Sequence, residues 1–356
     1  MRLVIDARMM GAGNTRGIGR YIEEMLAQMR LMLPSGWEIV LQQDRIRWYS
    51  FAEQIIWPFI LRKSKPDLLW VPHWNVPLLY RGKLAITIHD LLLLHQPTSA
   101  KASTRHPLIA HIKRLGHRIV LNNAVRRACV IFVPTHAVAD DVASFYPDAK
   151  SKVIVTGEGL TQFPEPTAPP VSKMPAVNFI LYVGSAYPHK RIDLLLEAWK
   201  DIAQNHPDLS LVITGEHDLF LKRHMDQVST QSIPRVVFSG RMGNAELAWL
   251  FPRAKLFVFP SSFEGMGLPP IEALAAGCPV VCSDIPVLRE VVPEMGTLFF
   301  RSGDKNDMIA AIERGLSDND RLREEAARGG IEAAARHTWK SAAEKTLEGL
   351  KHSCRA

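Results

Sequence analysis

One short segment in the second half of the chain, Ser261–Glu272, constrains the fold most, because strand and helix signals meet in it. It reads Ser-Ser-Phe-Glu-Gly-Met-Gly-Leu-Pro-Pro-Ile-Glu and follows an apolar run, Lys255–Pro260, that is typical of a buried strand. The two prolines fit a first helical turn, where a missing N–H costs nothing. The two glycines allow positive φ or a close approach of the backbone to a ligand. The segment therefore predicts a strand, a glycine loop and a helix N-terminus.

The predicted helix start suits a phosphate group, because its free N–H groups and its positive dipole end face the loop. Two carboxylates flank it, Glu264 in the loop and Glu272 in the first turn. A carboxylate beside an anion site is unfavourable unless it holds something, and sugar or ribose hydroxyls are obvious candidates. The pattern thus indicates a nucleotide-sugar site, and the alternative is a capped helix with two solvated glutamates.

The same residues resemble the Glu-x7-Glu signature of the retaining glycosyltransferases of family four, which have the two-domain GT-B fold. The resemblance implies that Glu264 binds hydroxyls of the donor sugar and that Glu272 binds the ribose. It also implies that four backbone amides face the sugar and the diphosphate, those of Gly265, Met266, Gly267 and Leu268.

Length and composition agree with a two-domain soluble enzyme. The chain has 356 residues, 47% of them hydrophobic and 22% charged, which is enough for two domains of about 150 to 200 residues. No apolar run reaches the roughly 18–20 residues of a membrane span, and the N-terminus carries a charge too early for a secretory signal. The four cysteines form no Cys-x-x-Cys pair, so we expect free thiols in a reducing cytoplasm.

Strand and helix patterns alternate along the chain, which predicts parallel βαβ units in two doubly wound sheets. The first half has candidate strands at Arg2–Ala7, Glu38–Gln43, Asp67–Val71, Leu84–His89, Cys129–Val133 and Lys152–Thr156. The second half has them at Phe179–Val183, Ser210–Thr214, Arg235–Ser239, Lys255–Phe259, Pro279–Cys282 and Thr297–Phe300.

We therefore expect an α/β chain of two Rossmann-like domains that face a central cleft, as in GT-B. The predicted divisions are an N-terminal acceptor-side domain (1–162), a proline-rich linker (163–176), a C-terminal nucleotide-sugar domain (177–336) and a final helical segment (337–356). In the family that this chain resembles, the last helix crosses back to the N-terminal domain. Ligands of doubly wound sheets bind at the carboxyl ends of the strands.

The glycine-rich start, Gly11–Tyr21, does not have the spacing of a dinucleotide-binding loop. Its phrase Gly-Ile-Gly-Arg-Tyr resembles the opening of many family-four sugar transferases. The resemblance implies that Gly17 faces the donor diphosphate and places Arg20 on the acceptor side. A flexible loop is the alternative.

A histidine and an aspartate, His89 and Asp90, end the fourth predicted strand. By resemblance His89 is the active-site histidine near the transferred sugar, and Asp90 positions it or an acceptor hydroxyl. A structural His–Asp pair is the alternative. His73 ends the preceding strand and is a candidate for the acceptor side.

The first predicted strand of the second half, Phe179–Val183, leads into a loop that ends in His-Lys-Arg at residues 189–191. Lys190 matches a lysine with which the family binds the diphosphate, while Ser185 stands where an arginine is usual. The second charge is then expected from Arg191 or from a basic residue of the N-terminal domain. Gly215 ends the next strand. The turn at Arg241 and Met242 resembles the one that contacts the nucleobase through its backbone.

No metal site is expected. Asp318-Asn319-Asp320 is formally Asp-x-Asp, but it lies between two helical runs, and Asp320 is better explained as a helix N-cap. The resemblance implies metal-independent transfer, in which Lys190 and a helix dipole balance the leaving diphosphate. Glu264, Lys190 and His89 are the expected catalytic residues.

Basic residues are concentrated in Leu91–Ala139, which contains seven Lys or Arg and no Asp or Glu. Such a region suits an anionic membrane or a diphosphate-bearing acceptor, and few aromatics interleave it, which weakens the case for nucleic acid. Arg47–Lys65 adds Trp48, Trp57, Phe59, Arg62 and Lys63 as a second possible contact. A solvated helix face is the alternative. We expect a cytoplasmic protein that associates peripherally with the membrane.

The resemblance implies a retaining transfer of an α-linked hexose to a glycan or a polyprenyl-diphosphate-linked glycan. The phrases around Gly17 and His89 recur among mannosyltransferases that build bacterial polysaccharides, so GDP-mannose is the first expectation for the donor and a UDP-sugar the second. No other cofactor is expected. Two alternatives stay open, a GT-B epimerase or phosphorylase and a non-catalytic subunit that binds sugar nucleotide.

Overall fold

A computed structural model describes residues 1–11, 17–44, 46, 48, 50–96, 107–167 and 178–355. The chain forms two compact units. The first comprises Met1–Gly159 and His337–Ala356, and the second comprises Leu160–Arg336. The predicted linker lies largely outside the described residues.

Each unit contains one six-stranded parallel sheet. The strands of the first are β1 (Arg2–Asp6), β2 (Glu38–Gln42), β3 (Leu68–Val71), β4 (Leu84–Thr87), β5 (Val130–Val133) and β6 (Val153–Val155). Those of the second are β7 (Phe179–Val183), β8 (Ser210–Thr214), β9 (Val236–Gly240), β10 (Leu256–Phe259), β11 (Val280–Asp284) and β12 (Thr297–Arg301). All the predicted strands are confirmed, with ends that differ by one or two residues.

Helices connect the strands and cover the sheets. They are α1 (Gly17–Leu31), α2 (Phe51–Ile55), α3 (Trp57–Lys63), α4 (Leu92–His95), α5 (Pro107–Arg127), α6 (His136–Phe145), α7 (Ile192–Asn205), α8 (Leu219–Thr230), α9 (Asn244–Leu250), α10 (Leu268–Ala275), α11 (Pro286–Val291), α12 (Lys305–Ser317), α13 (Asn319–Arg336) and α14 (Trp339–Arg355). Short 3-10 turns at Pro147–Lys152, Pro188–Lys190 and Phe251–Arg253 complete the elements.

The strand order places consecutive βαβ units side by side. It is β2-β1-β3-β4-β5-β6 in the first sheet and β12-β11-β10-β7-β8-β9 in the second. In each sheet the carboxyl ends of all strands meet at one edge, since every pairing is parallel. This edge is where a doubly wound sheet binds ligands.

Apolar side chains pack on both faces of each sheet. In the first unit α1 and α14 cover one face, with Tyr21, Met25, Trp339 and Leu350 buried there. Trp57, Leu61, Leu121 and Val142 cover the other face. The second unit has a single core in which α7, α10 and α12 enclose the strands.

The C-terminal segment forms two helices, as the sequence predicts. The last of them, α14, belongs to the first unit and packs against α1. Helix α13 begins at Asn319, so Asp320 lies within its first turn and the prediction of Asp320 as an N-cap is wrong. The neighbouring Asp318 carboxylate accepts a hydrogen bond through Oδ2 from Arg321 Nη2 at 3.0 Å.

Among the described side chains, Cys129, Cys278 and Cys282 are free thiols. Burial raises the pKa of Cys278 to about 12, so this thiol stays protonated and unreactive. Within the described part of the chain, every helix is too short or too polar to cross a bilayer.

Candidate active site

The loop between β10 and α10 has the geometry that its sequence predicts. Gly267 caps α10 in the left-handed region, with φ at 77°. A side chain there would be strained, and an added Cβ would lie 2.6 Å from Leu288 Cδ2. The prolines occupy the first turn of α10. The loop therefore presents a proline-started helix N-terminus at the carboxyl edge of the second sheet.

A buried ion pair joins this loop to the one after β7. Lys190 Nζ lies 2.6 Å from Glu264 Oε1, and the two side chains are only 15% and 10% exposed. The ammonium also lies 5.2 Å from the centroid of the Phe259 ring. Sequence reasoning identified both residues but missed the pairing; the available signal was that β7 and β10 are both strands of one parallel sheet.

Backbone contacts hold the same two loops together. The Ser262 N–H donates to the His189 carbonyl at 2.8 Å, and the Ser262 hydroxyl donates to the same oxygen at 3.1 Å. Burial, followed by the Lys190 charge, lowers the pKa of His189 to about 4. His189 is therefore neutral at physiological pH, and Lys190 is the cation of this loop.

The second glutamate of the signature is buried on the first turns of α10. Glu272 is 5% exposed, and its Oε1 accepts a hydrogen bond from the Thr161 hydroxyl. Thr161 was not identified from the sequence, because it lies before the linker, far from the signature. The structure thus gives Glu272 a polar partner within its own unit.

The remaining predicted donor-side residues lie at neighbouring strand ends. The Ser185 carbonyl accepts from the Tyr182 hydroxyl at 2.7 Å. Gly215 has no room for a side chain, because an added Cβ would meet the Gly184 carbonyl. Arg241 is exposed and Met242 is buried after β9.

Arg191, the candidate for a second diphosphate charge, pairs with a carboxylate on α7. It caps α7 with φ at 52°, and its Nε lies 3.3 Å from Asp193 Oδ1. Lys190 and Arg191 therefore have separate carboxylate partners, Glu264 and Asp193.

In the first unit, His89 follows β4 with both ring nitrogens in contact with acceptors. Nδ1 lies 3.0 Å from Glu158 Oε1, and Nε2 lies 3.2 Å from the Pro72 carbonyl oxygen. The Tyr21 ring packs edge-on, with 4.7 Å between ring centroids. Since a carbonyl and a carboxylate accept hydrogen bonds, these two contacts favour a proton on each nitrogen, the charged form of the ring.

The His89 charge is the outcome of two opposing effects. Burial disfavours the imidazolium, but the hydrogen bond and charge of Glu158, with the Pro72 carbonyl and Asp90, outweigh it and raise the pKa of His89. Asp90 Oδ1 accepts from the Leu92 N–H at 2.9 Å, and its charge also acts on the His89 ring. Glu158, which follows β6, was missed by sequence reasoning.

His73 follows β3 and is held in its neutral form. Burial, followed by the charges of His89, His117 and Arg8, lowers the pKa of His73 to about 3. Its Nδ1 accepts from the Asn75 N–H at 3.1 Å, so the proton of the neutral ring is on Nε2. The first sheet thus carries a charged and a neutral histidine at its carboxyl edge.

The other first-unit candidates are less informative. Gly17 starts α1, and Arg20 lies half-buried on the same helix. The glycine loop before them, 12–16, lies outside the described residues. In the part of the chain that is described, the structure contains no cluster of three or more His, Cys, Asp or Glu side chains arranged to hold a metal ion.

The His89–Glu158 pair should contribute stability that depends on pH. Because the folded-state pKa of His89 is raised, its contribution is present below about pH 6.5, the pKa of an unperturbed histidine, and is lost as pH rises through the folded value. Glu158→Gln should lower the free energy of unfolding by about 1.5–3 kcal/mol at pH 6 and by much less at pH 9. Denaturant unfolding at both pH values measures this.

Glu313→Gln is the matched control, because Glu313 Oε2 pairs with His206 Nε2 at 2.6 Å and both side chains are about a third exposed. An exposed pair of this kind contributes little. A Glu158→Gln effect that is equal at pH 6 and pH 9 would contradict the charged state of His89.

Comparisons with known proteins find similar glycosyltransferases. Residues 169–333 match the family model described as glycosyl transferases group 1. The O-antigen chain mannosyltransferase RfbU of Salmonella typhimurium is 26% identical over 75% of this chain and 69% of its own length. The O-antigen chain mannosyltransferase B of Escherichia coli is 31% identical over 49% of this chain and 46% of its own length.

The fold has a close match among solved structures. The sucrose-phosphate synthase of Thermosynechococcus elongatus superposes with a TM-score of 0.76 at 19% identity, over 99% of this chain and 98% of that one. At this identity the likeness concerns the fold. Together with the family match, which covers residues 169–333, it shows that the second unit contains a glycosyl transferases group 1 domain and that the chain has the two-domain α/β fold of the GT-B class.

Proposed function

We propose that this glycosyltransferase transfers an α-linked mannosyl residue from GDP-mannose, with retention, to a glycan or a lipid-linked glycan. The observation that carries the proposal is the Lys190–Glu264 pair beside the proline-started helix α10. It brings a cation for a diphosphate and a carboxylate for sugar hydroxyls to one strand edge. Mannose is favoured because the two relatives described above are named as mannosyltransferases, and a UDP-sugar is the second candidate.

In the proposed reaction, the diphosphate replaces Glu264 as the ion-pair partner of Lys190. The ammonium and the N-terminus of α10 then stabilise the negative charge that develops on the leaving group. Glu264, released from Lys190, accepts from a sugar hydroxyl, and Glu272 accepts from the ribose. No metal is needed for this charge balance.

The transfer itself breaks the bond between the sugar C1 and the diphosphate oxygen, whose electron pair stays with the diphosphate. The acceptor oxygen forms the new bond to C1 on the same face, and its proton passes to a diphosphate oxygen. In the proposed reaction His89 is not the acceptor of this proton, because both of its nitrogens are occupied, by Glu158 and by the Pro72 carbonyl.

An epimerase or a non-catalytic subunit is not favoured, because the family match and the named relatives are transferases. The donor site also retains its charged residues in contact, which a subunit without turnover does not need.

Replacement of the two signature glutamates should affect different steps of the reaction. Glu272→Ala should raise the KM for GDP-mannose, and Glu264→Ala should mainly lower kcat, each by roughly ten- to a hundredfold, the effect of losing one charge-assisted hydrogen bond. Steady-state release of GDP, with a panel of octyl glycosides as acceptors and EDTA present, measures both.

Glu294→Ala is the control, since the Glu294 side chain is 87% exposed and should leave the kinetics unchanged. Wild-type donor kinetics in both signature variants would show that the site is assigned wrongly. Loss of turnover in EDTA that manganese restores would disprove the metal-free mechanism.

We further propose that the first unit binds anionic membranes through α5. Three apolar side chains, Ile112, Leu115 and Ile119, are about half exposed on this helix, at the i, i+3 and i+7 spacing of one helix face. Lys113, Arg114 and Arg118 accompany them on α5. Apolar residues flanked by cations are typical of helices that lie in a membrane interface.

A second exposed surface belongs to α2 and α3. Phe51 is 90% exposed, and Ile55, Ile56 and Phe59 are each at least half exposed, while Arg62 lies over the Phe59 ring. The sequence-based inclusion of Trp57 in this contact is wrong, because its ring is fully buried. Lys101, Arg105 and Arg47 lie outside the described residues.

Replacement of the α5 cations should release the protein from vesicles. Each contributes on the order of 1 kcal/mol near an anionic surface, so Lys113→Ser, Arg114→Ser and Arg118→Ser together should weaken binding to phosphatidylglycerol vesicles about a hundredfold. The binding should also fall with salt. Co-sedimentation measures it.

The matched control carries Lys340→Ser, Lys345→Ser and Lys351→Ser, which remove the same charge from exposed positions of α14 in the same unit. Equal binding to neutral and anionic vesicles, no binding, or an equal loss in the control would refute the role of α5. None of these results bears on the transfer reaction.

A further inference from the structure

The C-terminal helix α14 begins close to the residues that surround His89, although the chain reaches it only after the whole second unit. Thr338 caps the helix, since its Oγ1 accepts from the Ser341 N–H at 3.2 Å, as a threonine before a first helical turn commonly does. The first helical residue is Trp339, whose side chain is buried in the core between α1, α14 and the first sheet. The cap therefore fixes the point at which the indole enters this core.

The backbone of Gly159 lies directly against Trp339. A Cβ added to Gly159 would come within 2.3 Å of the Trp339 backbone nitrogen, 2.4 Å of its Cγ and 2.6 Å of its Cδ1. Glycine, which has no Cβ, allows this close approach. The indole therefore closes one side of the backbone at Gly159.

Glu158 lies between two glycines whose geometry is restricted. Gly157 has φ at 76°, in the left-handed region that favours glycine, and Gly159 is packed against Trp339. Within the described part of the chain, the Glu158 carboxylate makes one hydrogen bond, with His89 Nδ1 at 3.0 Å. The position of the carboxylate thus depends on the backbone turn that carries it, and Trp339 packs on that turn.

The same indole also supports the ring that packs on His89. The centroids of the Trp339 and Tyr21 rings are 5.9 Å apart, and those of Tyr21 and His89 are 4.7 Å apart. Both pairs are edge-to-face, which is a favoured arrangement of aromatic rings. Trp339 therefore contacts two supports of the imidazole, Tyr21 and the turn that carries Glu158.

A hydrogen bond does not account for the tryptophan. Its indole N–H is buried, and no acceptor pairs with it among the residues that the structure describes. A buried donor without an acceptor costs free energy, which an apolar side chain at the same position would avoid. The contacts of the indole with Gly159 and Tyr21 are what distinguish Trp339 from such a side chain.

The titratable side chains around His89 come from several elements. They are Glu158 after β6, Asp90 after β4, His73 after β3 and Tyr21 on α1. Burial disfavours the imidazolium, and the hydrogen bond and charge of Glu158 are the strongest influences in its favour. Movement of the carboxylate away from Nδ1 would therefore lower the pKa of His89.

We propose that Trp339 is a positioning residue for His89. Through Gly159 it holds the Glu158 carboxylate against the imidazole, and through direct packing it holds Tyr21 there. The C-terminal helix thereby completes the surroundings of His89 in the first unit. The expected effect on turnover rests on the proposed transfer reaction, whereas the expected effect on the imidazole does not.

Histidine NMR titration of the full chain tests the positioning role without any need for turnover. Trp339→Ala should lower the pKa of His89 by at least half as much as Glu158→Gln does, because the carboxylate is no longer held at Nδ1. Trp339→Phe keeps a ring against Gly159 and Tyr21, and its His89 should titrate close to wild type. The His89 signal is the one that disappears in His89→Gln.

Leu350→Ala is the matched control, because Leu350 is fully buried on the same helix and in the same core. It should lower the free energy of unfolding, as a large-to-small change in a core does, and leave the pKa of His89 at its wild-type value. Trp339→Leu keeps most of the buried volume without a ring, and gives the same comparison if Trp339→Ala does not fold.

Three results would overturn the proposal. They are a wild-type His89 pKa in Trp339→Ala and Trp339→Leu, an equal decrease in Leu350→Ala, and the same decrease in Trp339→Phe as in the variants without a ring.

Steady-state kinetics separate this role from the donor site. Trp339→Ala and Glu158→Gln should lower kcat by about the same factor and keep the KM for GDP-mannose within about twofold, because the proposed donor contacts belong to the second unit. A donor KM that rises as much as kcat falls would indicate general damage and contradict positioning. If the wild type transfers no sugar, the proposed function fails, and the NMR comparison still decides the role of Trp339.

Discussion

The Lys190–Glu264 ion pair is the interaction on which the second unit's site depends. It joins the loop after β7 to the loop before α10, and the Ser262 contacts to the His189 carbonyl fix the same junction. A largely buried pair is costly to leave incomplete, because removing one partner strands the other charge. A diphosphate that replaces Glu264 as the partner of Lys190 keeps that charge compensated. The pair thus links the two loops, and in the proposed mechanism its lysine is the group that binds the diphosphate.

The first unit uses buried charge differently. His89 is surrounded by acceptors, which favour its charged form, whereas His73 accepts from a backbone amide and is neutral at physiological pH. Both ring nitrogens of His89 and Nδ1 of His73 are thus occupied by protein groups. The first sheet therefore offers fixed hydrogen-bond directions, which agrees with the proposed passage of the acceptor proton to the donor diphosphate.

The sequence predicts the architecture well, because the signals for it are local. Apolar runs such as Phe179–Val183 form strands wherever they are buried on both faces, and Gly267 with the prolines of α10 defines a turn by its own stereochemistry. The ends of parallel strands then bring Lys190 and Glu264 to one edge. The signature loop could be placed correctly without knowledge of the sheet order.

Partners across the sheet could not be predicted in the same way. His89 follows β4 and Glu158 follows β6, and only β5 lies between these two strands in the sheet, so the two side chains can meet at its carboxyl edge. Strand patterns in the sequence do not specify this order. The sequence suggested only Asp90, which is adjacent to His89 and whose charge acts on the same ring. Trp57 has the apolar-cationic surroundings of a surface contact, yet its ring is buried against the Arg8 guanidinium. Both contacts, Glu158 with His89 and Arg8 with Trp57, join residues far apart in sequence, so local propensity does not predict them.

The central claim is that a nucleoside diphosphate replaces Glu264 as the ion-pair partner of Lys190. Calorimetric titration of GDP and UDP into two variants tests this most directly. Lys190→Met should weaken binding of the preferred nucleotide by roughly ten- to a hundredfold, the effect of losing one charged hydrogen bond. Glu264→Gln should bind it at least as tightly as wild type, because the competing carboxylate is gone and no sugar is present to need it. Wild-type affinity in Lys190→Met, or an equal loss in both variants, would contradict the account.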